Sequence, residues 1–351
     1  MIAHTRTKKE RNVAKPVTPQ EIKAHLDSVV IGQETAKRKL AVAVASHYAR
    51  IWNAVADPQL RDVRVRKSNV LMVGPTGTGK TLLASAVAEL LDVPFATCSA
   101  TSLTEAGYVG DDVETMLKSL LVAAGDNAKQ AQTGIVYIDE LDKIRKTSGN
   151  VSITRDVGGA GVQQALLTML EGSVRRVPDG QRLHPQVDST EIDTTNILFI
   201  CGGAFVGLDE IVAKRRNGRR NGKAVADVLP EDLIHFGFIP EFVGRLPVIA
   251  TLDPLDRKDL ETILVEPRDA LVKQYRKLCL ARGFDLEFTV PAIKATAAKA
   301  MELGIGARGL RSVMEQALLD VLFSGEPGCK YVIDGDVVLG KSAAKMRRLP
   351  Q

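Results

Sequence analysis

Short, uniformly apolar runs alternate with amphipathic stretches through most of the chain. Val70-Leu71-Met72-Val73, Ile135-Val136-Tyr137-Ile138 and Ile197-Leu198-Phe199-Ile200 are each bounded by polar or glycine-rich sequence. Runs this short and this apolar predict strands buried on both faces. Helical patterns separate them over 80–91, 112–124 and 160–171. The predicted core is therefore α/β, a parallel sheet covered by helices on both sides. Upstream, Thr18-Pro19-Gln20-Glu21 reads as a helix start, with Thr18 as cap, Pro19 at the first helical position and Glu21 closing a capping box. A second helix is expected over Glu34 to Trp52, after the turn at Ile31-Gly32-Gln33.

Beyond Leu252-Asp253-Pro254 the pattern becomes mainly helical, over 255–281, 291–303 and 308–323. Short alternating strands are expected at Phe284-Leu286-Phe288 and Tyr331-Val332-Ile333. The expected organisation is a large α/β domain over 18–252 and a smaller helical domain over 253–340. A disordered basic arm, 1–17, precedes them and a loose basic tail, 341–351, follows. There is no internal repeat.

Composition narrows the class. Of 351 residues 45% are hydrophobic and 25% charged, enough apolar surface for folded domains rather than a disordered chain. The net charge of +5 is unevenly spread. Arg6, Lys8, Lys9, Arg11 and Lys15 crowd the start, and Lys214, Arg215, Arg216, Arg219, Arg220 and Lys223 form a second run without an acid. Such runs are either solvated, mobile faces or contacts for a polyanion or acidic partner. Cys98, Cys201, Cys279 and Cys329 are scattered and lack zinc-knuckle spacing, as in a reduced intracellular protein. No apolar run approaches the roughly 20 residues that span a bilayer, so a cytoplasmic protein without membrane contact is expected.

Two motifs carry chemistry. Gly74-Pro75-Thr76-Gly77-Thr78-Gly79-Lys80-Thr81 fits the P-loop pattern, and it lies after a predicted buried strand and before a predicted helix. Glycines let backbone amides turn inward around phosphates, and the helix N-terminus adds partial positive charge. Lys80 is placed to reach the outer phosphates of ATP and Thr81 to ligate Mg²⁺. The second motif, Gly134-Ile135-Val136-Tyr137-Ile138-Asp139-Glu140, is a strand ending in two acids. Asp139 can hold the Mg²⁺ shell, partly through water, and Glu140 can polarise an attacking water. Paired acids here mark hydrolases that power motion. Asp142 and Lys143 are expected in a surface turn without a catalytic role.

Several further blocks, in order, resemble the ClpX family of AAA+ unfoldases from Val30 to about Ile333. They are Val30-Ile31-Gly32-Gln33, Gly107-Tyr108-Val109-Gly110, Ser152-Ile153-Thr154-Arg155-Asp156-Val157, Gly161-Val162-Gln163-Gln164, Gly237 to Phe242 with Gly244-Arg245-Leu246-Pro247, and Gly306-Ala307-Arg308-Gly309-Leu310-Arg311. The resemblance implies an AAA+ P-loop NTPase large domain with a parallel sheet, followed by a small helical domain. It also implies a homo-hexameric ring that threads protein substrates through a central pore. Val30 and Ile31 would line the adenine pocket, and the nucleotide site would run on through Leu82. Arg308 would sense bound nucleotide, and Arg245 would be the arginine finger entering the neighbour's site. Removing such a finger costs roughly 10³–10⁵ in rate in related NTPases. Tyr108 and Val109 resemble a pore loop that grips polypeptide sterically, and the 145–161 segment with Arg155 a second one.

The sequence departs from the ClpX family in three places, and in one further place from AAA+ proteins at large. No cysteine precedes residue 18, so the family's zinc-binding N-terminal domain, and zinc itself, are not expected. The entrance loop reads Arg182-Leu183-His184 where the family has Arg-Lys-His. The strand at 197–201 ends in Cys201-Gly202-Gly203 rather than the polar sensor typical of AAA+ proteins, a feature that ClpX-like sequences share. Between Phe205 and Glu231 the family's apolar ClpP-docking tripeptide is absent and the basic run 214–223 takes its place. Delivery of substrates to ClpP in the usual way is therefore not expected. A nucleic-acid motor on the same scaffold is the rival favoured by the basic runs, but the aromatic pore loop argues against it.

Overall fold

The computed structural model describes residues 17–52, 63, 65–103, 113–146, 159–178, 189–216 and 228–349. Helix α1 (Pro19–Val29) opens as predicted: the Thr18 hydroxyl accepts from the Glu21 amide at 3.2 Å, and the Glu21 carboxylate accepts from the Thr18 amide at 2.8 Å. A good side-chain cap of this kind is worth about 1 kcal/mol. α2 (Glu34–Trp52) packs back on α1 after a turn in which Gly32 and Gln33 both take positive φ, 64° and 59°.

The large domain continues through β1 (Val70–Val73), α3 (Lys80–Leu91), β2 (Phe95–Ser99), α4 (Thr115–Ala123), α5 (Ala128–Ala131) and β3 (Ile135–Asp139). α6 (Ala160–Glu171) leads into an antiparallel hairpin, β4 (Val174–Pro178) with β5 (Ser189–Asp193). β6 (Leu198–Gly203), α7 (Leu208–Arg215), α8 (Pro230–Phe236), α9 (Pro240–Gly244) and β7 (Val248–Thr251) complete it. Among the described residues, five parallel strands form one sheet in the order β2-β3-β6-β1-β7. Its central strands send alternate side chains into two cores. Leu71, Val73, Val136, Ile138 and Phe199 join the core that includes α4 and α6. Val70, Met72, Ile135, Tyr137 and Ile200 join the core that includes α1, α2 and α3. Both faces are dry, which is why these strands read as unbroken apolar runs.

The smaller domain holds α10 (Arg257–Val265), α11 (Leu271–Ala281), β8 (Asp285–Phe288), α12 (Val290–Glu302), α13 (Arg308–Ser324), β9 (Cys329–Ile333), α14 (Gly335–Val338) and β10 (Lys345–Arg348). Leu264, Phe284, Leu286, Leu310, Leu318 and Ile333 are among the side chains of its separate core.

Three expectations are corrected here. The helix expected over 255–281 is two helices, because Pro267 lacks an amide hydrogen and its ring crowds the preceding turn. Lys345–Arg348, expected in a loose tail, form an edge strand on β9, and the Leu349 amide donates to the Gly328 carbonyl at 2.8 Å. Charged side chains suit an exposed edge, where they discourage pairing with other chains. Arg215, expected in a mobile basic run, closes α7 and makes a two-pronged contact with buried Asp232, at 2.8 and 3.0 Å. That carboxylate also accepts from the Leu229 amide and so caps α8. No helix among the described residues is long and apolar enough to cross a membrane.

Candidate active site

The P-loop lies between the end of β1 at Val73 and the start of α3 at Lys80. Gly77 and Gly79 take left-handed φ values of 78° and 97°, which side-chain-bearing residues rarely adopt. At Gly77 space is equally demanding, since an added Cβ would lie 2.3 Å from the Ile305 carbonyl oxygen. Across the same contact the Ala307 amide donates to the Gly77 carbonyl at 3.2 Å. The loop turns its backbone inward and at the same time touches the smaller domain, main chain to main chain. Thr78, which is buried, donates its hydroxyl hydrogen to the Pro75 carbonyl at 2.8 Å. The Lys80 ammonium donates to the carbonyls of Gly74 and Pro75, at 2.7 and 2.9 Å. Burial lowers the Lys80 pKa, while the charges of Asp139 and Asp142 act in the other direction.

Opposite the loop, β3 ends in the two acids. Asp139 Oδ1 accepts from the Glu140 amide at 2.9 Å and from the Tyr137 hydroxyl at 3.2 Å. Glu140 has left the strand with φ of 57°, a left-handed conformation that is costly for a glutamate and throws its carboxylate sideways toward β2. There Oε2 accepts from the Ser99 hydroxyl at 2.8 Å and the Thr101 hydroxyl at 3.1 Å. These two donors, Ser99 first, hold the Glu140 carboxyl below its ordinary range.

The P-loop, the β3 tip and the N-terminus of α13 enclose a cleft of about 660 Å³, a volume within the range of small-molecule sites. Thr81, Asp139 and Glu140 line it from the large domain, Arg308 and Arg311 from the smaller one. Thr76 and Leu82 also line it, and Val29 does so from the end of α1. Val30 is buried behind, with Cγ1 3.7 Å from where a Cβ on Gly79 would be, and Ile31 is half-buried.

Asp142 corrects an expectation. It is not in a surface turn but 5% exposed, on a 3₁₀ turn after β3, and its Oδ1 accepts from the Ala204 amide at 3.1 Å. It fills the space that a side chain on Gly203 would need, since an added Cβ there would stand 2.5 Å from Oδ1. Lys143 beside it is exposed.

The comparisons with known proteins agree with this geometry. Residues 65–249 match the family model described as AAA domain (Cdc48 subfamily). Residues 255–326 match the model of the C-terminal, D2-small domain, of ClpB protein. The chain is 50% identical over 345 residues to the ATP-dependent Clp protease ATP-binding subunit ClpX of Treponema denticola, covering 93% of this chain and 82% of that protein. It is 49% identical over 340 residues to the protein of the same name from Borrelia duttonii, covering 92% of this chain and 78% of that one. The chain belongs to the ClpX family of AAA+ proteins. It is an ATPase.

Within that family frame, Arg245 stands apart from its own cleft. It follows α9 on the surface, where its guanidinium contacts Glu171 Oε1 at 2.6 and 2.8 Å. Buried Asn69, just before β1, fixes the local backbone by donating to the carbonyls of Arg245 and Leu170, at 3.0 and 3.3 Å. Tyr108, Val109 and Arg155, with 182–184, lie outside the described residues. Sequence reasoning missed Val29, Ser99, Thr101, Tyr137 and Arg311 as parts of the site. Tyr137 and Arg311 stand inside blocks already quoted but were given no role, whereas no motif marks Val29, Ser99 and Thr101, which the fold brings in. No group of three or more His, Cys, Asp or Glu able to hold a metal occurs among the described residues.

Proposed function

We propose that the chain is the subunit of a homo-hexameric ring that unfolds proteins with the energy of ATP hydrolysis. The carrying observation is the cleft: Lys80, Thr81, Asp139 and Glu140 face Arg308 across one cavity whose walls belong to both domains. The residues fit ATP with Mg²⁺. The P-loop amides of Gly74 to Gly79 and the Lys80 ammonium would hold the phosphates, with Val29, Val30 and Ile31 toward the adenine. Thr81 and Asp139 would hold the Mg²⁺ shell, and the ion would draw charge from the β- and γ-phosphates. Glu140 orients and polarises the attacking water. Arg308, at the start of α13, links nucleotide to the position of the smaller domain. Arg245, remote from its own cleft, serves the neighbouring copy. We place the hinge between the two domains at 252–253, and assign Tyr108, Val109 and Arg155 to the gripping of substrate in the pore.

Protein rather than nucleic acid is the substrate in this proposal, as in a ClpX-family remodeller of the cytoplasm. Both relatives are named as subunits of a Clp protease. In this chain, cations over 214–223 stand where the family docks ClpP through apolar side chains. An apolar anchor of that kind is worth about 1.5–3 kcal/mol, multiplied by avidity around a ring. A cation entering an apolar cleft adds a desolvation cost instead. We infer a remodeller that works alone or docks an acidic partner.

The test is a stable fluorescent protein with an unstructured tag, incubated with the ring and ATP. Fluorescence should fall with the parent chain. It should persist with Glu140→Gln, which binds ATP without turnover, and with Tyr108→Ala, which keeps its basal ATPase. ATPase stimulation by DNA but not by unfolded protein would contradict the proposal. Adding ClpP from the same cell should release no peptides. Efficient proteolysis that vanishes on deletion of 217–223 would instead make that segment the docking element.

A further inference from the structure

Strand β6 reaches the cleft as Cys201-Gly202-Gly203 and so presents no polar side chain beside the acids of β3. The space is not empty. A Cβ on Gly202 would stand 2.2 Å from the Tyr137 hydroxyl oxygen and 2.9 Å from its Cζ. Parallel register sets Tyr137 of β3 opposite Ile200 of β6, so the ring lies in the core between the sheet and α3, fully buried. Its hydroxyl lies at the phosphate end of that core, where it donates to Asp139 Oδ1 at 3.2 Å.

A carboxylate only accepts, so the Tyr137 hydrogen goes to Asp139, on the same oxygen that accepts from the Glu140 amide. Asp139 is one of the two side chains assigned above to the Mg²⁺ shell, and a buried phenol holds it.

We propose that Tyr137 is the positioning residue of the metal–nucleotide site, acting through its hydrogen bond to Asp139. Gly202 is the complementary half of the device, because only glycine leaves room for the hydroxyl. The proposal rests on reading the cleft as an ATP–Mg²⁺ site.

Tyr137→Phe removes one oxygen and keeps the ring. Gly202→Ala keeps the oxygen and pushes it out of place. For the parent and both variants, the affinity for a fluorescent ATP analogue is measured in saturating magnesium and in EDTA. Thermal unfolding without nucleotide serves as the folding control. Both variants are expected to bind the analogue like the parent in EDTA. In magnesium they should lose about tenfold, the factor that corresponds to about 1.4 kcal/mol. Parent-like affinity in magnesium, or an equal loss under both conditions, would reduce Tyr137 to a packing residue and overturn the proposal. If magnesium has no effect on the parent itself, it is the ATP–Mg²⁺ assignment that fails, a separate and recognisable outcome.

Discussion

Glu140 is held by two hydroxyls from the end of β2, and both fall on the same oxygen. Hydrogen bonds to a carboxylate stabilise its charged form, so the Glu140 carboxylate stays ionised to lower pH than an ordinary glutamate. Replacing the hydroxyls, as in Ser99→Ala with Thr101→Val, lets the pKa rise toward its ordinary value. The acid limb of the kcat profile should therefore move to higher pH, while nucleotide affinity in EDTA stays unchanged. Superimposable pH profiles would show that the rate does not depend on this carboxylate's ionisation. The left-handed backbone at Glu140 is the local device that turns the side chain toward these donors, and nothing in the sequence Asp139-Glu140-Leu141 announces it.

Elements were legible where one physical signal dominated. The bounds of α1, α2, α3 and α6 follow from caps, glycine turns and helical period, and β1 and β3 from uniformly apolar runs. β2 was missed because Phe95-Ala96-Thr97-Cys98-Ser99 mixes polar and apolar residues in an outer strand that is only partly buried. β7 was hidden behind the Gly244 to Pro247 block, and β4–β5 stands apart from the main sheet. Pro267 was a visible break that the helical pattern on either side concealed. The Ile31-Gly32-Gln33 turn has a role that only long-range pairing reveals. Gln33 accepts from the Asp253 amide at 2.7 Å and donates to the Asp253 carbonyl at 2.8 Å, so the turn after α1 clamps the chain where it leaves the sheet. Gln33→Ala strands both groups and is expected to cost about 1–3 kcal/mol in denaturant unfolding. A loss well below that range would mean that water satisfies the hinge as well as Gln33 does.

In the whole molecule, the P-loop glycines and the 305–307 turn meet main chain to main chain, so the nucleotide cleft is also the joint between the domains. Nucleotide bound in a cleft built this way would touch both domains at once, as the proposed motor requires. Arg245 lies elsewhere, steadied by Glu171 and Asn69 on another surface of the same domain. The resemblance sends Arg245 to a neighbour's site, in keeping with this separation, but the path of α6 and α9 that produces it was not legible in the sequence. The proposed site, with its base on one copy and its finger on the next, makes a sharp demand of mixed rings. Arg245→Ala and Glu140→Gln subunits should each hydrolyse ATP at a small fraction of the parent rate. Co-assembled, with mixed rings verified by native mass spectrometry, they should recover hydrolysis and unfolding of the tagged substrate, most strongly at equal proportions. Mixed rings that remain inactive at every ratio would contradict an active site shared between neighbours.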